Sequence, residues 1–107
     1  MTFNEDLADR VRDVLPPDVV EKRMFGGLGF MVEGHLTVAL GRDDLLVRLG
    51  AAAVAEALTV PGVSPSIMGK RTMADWVLVD NESLTETADL AAWVDQAMAF
   101  TRTLPPR

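Results

Sequence analysis

Cysteine is absent from the 107 residues. That excludes a disulfide framework, thiol chemistry and a thiolate metal site. A single histidine, His35, excludes a multi-histidine metal site. Positive charge is scarce: ten Lys and Arg stand against sixteen Asp and Glu, a net charge of -6. So acidic a chain is repelled by phosphate backbones, and direct binding to DNA or RNA is not expected. No apolar run approaches the roughly 18 residues of a membrane span, so no membrane partner is expected either. The opening Met1-Thr2-Phe3-Asn4-Glu5-Asp6 lacks the basic region and apolar stretch of a signal peptide. The expectation is a cytoplasmic protein.

Hydrophobic residues are 49% and charged residues 24%, the proportions of a folded chain. The length suits one domain over 1–107. Thr2 and Glu5 fit a capping box ahead of a helix over 3–15. Leu7, Val11, Val14 and Leu15 mark its buried face, and Pro16-Pro17 end it. Asp6–Arg10 and Asp9–Arg12 have the spacing to pair on the solvated side. Val19–Phe25, a glycine cluster and Phe30–Val32 follow, and Glu33-Gly34 signals a two-residue turn. Leu36, Val38 and Leu40, then Leu45, Val47 and Leu49, alternate at the period of half-buried strands. Short connections make this a three-stranded antiparallel meander.

An alanine-rich helix over 51–58 buries Ala51, Val54, Ala55 and Leu58, and Pro61-Gly62 stops it. An extended run over 64–68 leads through a turn at 69–72 to Asp75–Asp80. This last strand is so apolar that it reads as central and covered on both faces. Asn81, Ser83 and Thr85 are alternative N-caps for a final helix over about 86–103. Its stripe is Leu90, Trp93, Val94, Ala97, Thr101 and Leu104. The order α-β-β-β-α-β-β-α gives an α+β class, with three helices on an antiparallel five-stranded sheet.

Catalytic motifs fail one by one. Gly27-Leu28-Gly29 opens like a dinucleotide fingerprint, but it enters a strand rather than a helix. Gly62 to Gly69-Lys70 has the wrong P-loop spacing, and Arg71 stands where Ser or Thr would hold Mg²⁺. Gly62-Val63-Ser64-Pro65-Ser66 lacks the last glycine of a nucleophile elbow, and Pro65 lacks the needed N–H. His35 reads as an exposed turn histidine, although Glu33 two residues before it could share its face. Asp43-Asp44 and the Asp80–Glu82 pair read as turn residues. No catalytic residue, metal or cofactor is expected.

Two features resist so plain a reading. Lys22, Arg23, Arg48, Lys70 and Arg71 are the basic residues that one positive patch would need, against separate solvated charges. Phe25-Gly26-Gly27-Leu28-Gly29-Phe30 packs three glycines among aromatics, which suits a ligand-facing bulge or a sharp bend. Met24, Met31, Met68 and Met73 read as core filling, as do Trp76 and Trp93. The candidate binding set is Lys22, Arg23, Phe25, Gly26, Gly27, Arg48, Lys70, Arg71 and Trp76.

Arg23-Met24-Phe25-Gly26-Gly27-Leu28-Gly29-Phe30-Met31, Asp44–Arg48, Met68-Gly69-Lys70-Arg71-Thr72-Met73-Ala74-Asp75-Trp76-Val77, Trp93-Val94 and Leu104-Pro105-Pro106 resemble the TfoX/Sxy N-terminal domain family. The resemblance runs through nearly the whole chain. It implies a two-layer, secretion-chaperone-like α+β fold of a kind that often pairs as dimers. Full-length relatives are bacterial competence regulators that act on transcription with the cyclic-AMP receptor protein. They carry a further C-terminal helical domain, which is not expected within these 107 residues. The family supplies no catalytic residues. The expected function is therefore a non-enzymatic regulatory or adaptor domain with a protein partner and a possible homodimer. The alternative is a module binding a small anionic ligand.

Overall fold

Asn4 starts the first helix: its side-chain oxygen accepts from the Leu7 N–H at 3.0 Å, satisfying a donor that the helix cannot. The expected cap, Thr2, lies outside the residues that the computed structural model describes, 3–24 and 27–105. Helix α1 (Glu5–Val14) buries Leu7, Ala8 and Val11. Arg12 pairs with Asp9 at 2.9 Å, as its spacing suggests, and also with Glu21 at 2.8 Å. That bond holds the Glu21 carboxyl below its ordinary value. Arg10 bonds the Leu84 and Thr85 carbonyl oxygens instead of Asp6.

The glycine-rich region divides what reads in sequence as one strand. Strands β1 (Val20–Met24) and β2 (Gly27–Val32) pair antiparallel, and Phe25 and Gly26 between them lie outside the described residues. Then come β3 (His35–Leu40), β4 (Asp44–Arg48), helix α2 (Ala51–Ala57), β5 (Val63–Met68) and β6 (Arg71–Asp80). The sheet thus has six strands rather than five, all antiparallel, in the order β1-β2-β3-β4-β6-β5. The Glu33-Gly34 turn has φ of 52° and 83°, the left-handed pair that a two-residue hairpin needs.

A 3₁₀ turn (Asn81–Leu84) precedes α3 (Thr87–Thr101). The N-cap of α3 is Glu86, which makes no side-chain capping bond, rather than Asn81, Ser83 or Thr85. The inward stripe of α3 holds Leu90, Val94, Ala97 and Thr101, with Trp93 packed at its edge. In α2 the buried side is Ala53, Val54 and Ala57, not the Ala51 and Leu58 side. Leu58 is its C-cap and remains exposed, because the chain turns away there.

One core lies between the sheet and the helices: Leu28, Phe30, Val38, Leu40, Leu45, Val47, Val77 and Val79 against Leu7, Val11, Leu90 and Val94. His35 belongs to this side too. It is 9% exposed, not an open turn residue, and its Nε2 donates to the Pro105 carbonyl oxygen at 2.6 Å. Beside it, a bulge at Phe30/Met31 turns Thr37 inward, where its hydroxyl meets that of Thr101 at 3.1 Å. Among the described residues no helix is long and apolar enough to cross a membrane.

Candidate functional site

Side chains alternate along a strand, so the residues between the core positions form the opposite face of the sheet. Their register crosses all six strands. One rung runs Lys22–Gly29–Ala39–Leu46–Leu78–Ser64. A second, toward one end, holds Val20, Met31, Leu36, Arg48 and Trp76. A third, toward the other end, holds Met24, Gly27, Asp44 and Asp80. Met31, Leu36, Ala39, Leu46, Trp76 and Leu78 are half-buried by one another and stand outside the core. Gly29 lets Leu36 and Met24 close over it: a Cβ there would lie 2.7 Å from Leu36 Cδ1 and 3.1 Å from Met24 Sδ.

This corrects three expectations. β6 is interior to the sheet but covered on one face only, because the helices pack on the side of Val77 and Val79. Trp76 faces the open side rather than the core. Met24 and Met31 line that side too, and Met68 is 56% exposed near the β5–β6 turn.

The open face is electrically lopsided. At one end Asp44 and Asp80 are directly paired across β4 and β6, with Asp43 adjacent. The Asp44 carboxyl is pushed above its ordinary value by burial first, then by repulsion from Asp43 and Asp80. At the other end the Arg48 guanidinium lies 5.5 Å from the Trp76 ring and 5.8 Å from the ring of Phe100 on α3, so this cation sits at the sheet's end, against the helix layer as well as the open face. It reaches Asp75 at 3.8 Å, while its buried Nε has no acceptor among the described residues.

The expected binding residues are therefore partly gathered and partly dispersed. Arg48 and Trp76 touch. Lys22 and Arg23 project from opposite faces of β1, and Arg23 lies 5.6 Å over the Phe3 ring. Lys70 and Arg71 are at the β5–β6 turn, beyond the sheet's other side; β1 and β6 are four strand spacings apart, about 19 Å. Arg71 and Trp76 line a shallow depression of about 440 Å³ together with the Asp75 carboxylate. Gly27 opens β2, and Phe25 and Gly26 lie outside the described residues.

Sequence reading missed Leu36, Ala39, Leu46 and Leu78. Their signal is the run of apolar residues at both parities in His35–Leu40, Asp44–Arg48 and Trp76–Val79, which marks two apolar sheet faces. A groove on the helix side, about 410 Å³, lies between Pro61, Val63, Trp93 and Gln96, and includes none of the candidate residues. Among the described residues, no three His, Asp or Glu side chains are set to hold a metal ion.

The model of the TfoX N-terminal domain matches residues 11–101 of this chain. The chain belongs to the TfoX N-terminal domain family. The match runs from within α1 to the end of α3 and so includes the whole open face. Comparison with curated proteins and with solved structures gave no match.

Proposed function

We propose that this TfoX-type domain is a non-enzymatic cytoplasmic adaptor that acts through protein–protein contact, with a component of the transcription machinery as its partner. One observation carries the reading: the helices of this domain cover one face of its six-stranded sheet and leave the other apolar, rimmed by charge. Contiguous apolar surface of this kind is what protein contacts bury. The His35 ring meets the Pro105 backbone carbonyl, and Arg48 meets two aromatic rings and Asp75, contacts that suit a structural role better than a nucleophile or a proton relay. The net charge of -6 suits an adaptor better than a direct DNA reader.

The test is a tagged pull-down at physiological salt, run with Leu46→Arg and with Lys70→Glu/Arg71→Glu. The expected result is a transcription regulator or polymerase subunit retained by the native chain and lost by Leu46→Arg. Recovery of such a partner equally well by Leu46→Arg refutes the face, and recovery of none refutes the adaptor. Tight, salt-sensitive binding of the isolated chain to random duplex DNA also counts against it. A small anionic ligand is the second reading, resting on Arg71 and Trp76 at one depression. A thermal shift with nucleotides or phosphates, abolished by Lys70→Ala/Arg71→Ala, would favour it.

A further inference from the structure

We infer that the occupant of the open sheet face is a second copy of this chain, packed face to face about a two-fold axis along the Lys22–Ser64 rung. The inference rests on the reading of that face as a contact surface: the second copy covers it in the free protein, and the protein partner displaces that copy when it binds. A two-fold axis lying along the rung keeps each strand over its own copy and reverses its direction. The Asp44–Asp80 end of one copy then lies over the Arg48–Trp76 end of the other, and small Gly27 lies over Met31.

Each end of the face lacks what the other holds. Asp44 and Asp80 face each other with no cation paired to either among the described residues. Arg48 has one long contact to a carboxylate, 3.8 Å, and keeps 23% of its side chain open to solvent. The rung on the axis carries Gly29, Ala39 and Ser64 beside Leu46 and Leu78, so two sheets can approach to the usual spacing of about 10 Å. Lys22 meets its own copy only at the sheet's edge strand, where a lysine reaches water.

The size also fits. Six strands by about five residues give roughly 500 Å² in projection, or about 1,000 Å² for two copies, the threshold of a specific interface. A net charge of -6 on each copy opposes association elsewhere on the surface. This argues for a dimer that dissociates in the micromolar range.

Sedimentation equilibrium of the full chain from about 1 to about 100 µM tests this, a range in which so small an interface dissociates. The expected result is a dimer that dilution breaks. Leu46→Arg sets two guanidinium groups together on the axis and raises the dissociation constant about 100-fold or more. Because the chain has no cysteine, Ala39→Cys, also on the axis, gives a clean cross-link with a bis-maleimide spanning about 10 Å. Ala52→Cys, exposed on α2, does not. A monomer at the highest concentration overturns the inference, as does a Leu46→Arg dimer or equal cross-linking of the two cysteine variants. If Leu46→Arg lacks the native circular dichroism, the cysteine pair decides. A monomeric chain that still loses its partner through Leu46→Arg overturns the second copy and leaves the adaptor reading standing.

Discussion

Arg48→Met is expected to leave the fold almost as stable as before while weakening association. The guanidinium has two ring contacts at 5.5 and 5.8 Å, near the outer limit for cation–π attraction, so each contributes about 0.5 kcal/mol. Its ion pair with Asp75 is long, 3.8 Å, and partly open to water, so it adds about 0.5 kcal/mol or less. Against these stands the buried Nε without an acceptor, which costs about 1–3 kcal/mol. Methionine keeps much of the apolar stem and removes that cost. The balance lies within about 1 kcal/mol of zero, or about 5 °C in melting temperature for a chain of this length. The assay is urea denaturation followed by tryptophan fluorescence, in a Leu46→Arg background that removes the partner copy. The same Arg48→Met change, made alone, weakens the dimer in sedimentation. A loss above about 2.5 kcal/mol in the monomer would refute the reasoning, showing Arg48 to be an anchor of the fold rather than a charge held for contact.

Three further outcomes follow from the same structure. Asp44 has a raised carboxyl value, so the folded state holds its proton more tightly; that contribution to stability is present at low pH and is lost as pH rises through the folded value. In the Leu46→Arg background, Asp44→Asn therefore raises the urea midpoint at neutral pH, and the gain vanishes below the ordinary carboxylate value of about 3.9; an equal gain at both would show that charge is not the cause. Thr37→Val and Thr101→Val each cost about 1 kcal/mol, but the pair together costs much less than the sum, because the hydroxyls serve each other in a buried site; additive losses would contradict this. Gly50→Ala costs about 1–3 kcal/mol, since φ is 86° and a Cβ would lie 2.5 Å from the Phe100 ring. Gly29→Ala costs less than about 1 kcal/mol, because only the flexible ends of Leu36 and Met24 must move; equal urea midpoints for the two variants would refute that contrast.

The sequence by itself determined the local elements. The Pro16-Pro17 pair, the Glu33-Gly34 turn, the stripe on α3 and the alternation of β3 and β4 act over a few residues, and the structure keeps them. The family, too, was legible in the Arg23–Met31 and Met68–Val77 motifs. The division between β1 and β2 was hidden, because glycine inside an apolar run reads equally well as a bend within one strand. His35 read as exposed because the Pro105 carbonyl that accepts its hydrogen bond is 70 residues away. Of the candidate site, Arg48 and Trp76 were named from their motifs, but Leu46, Leu78 and Leu36 were not. Their strands are apolar at both parities, and such a pattern does not say which face the helices take. Only the tertiary structure decided that. All three helices pack on the side of Val77 and Val79, so the alternate residues are left to cover one another on an open face.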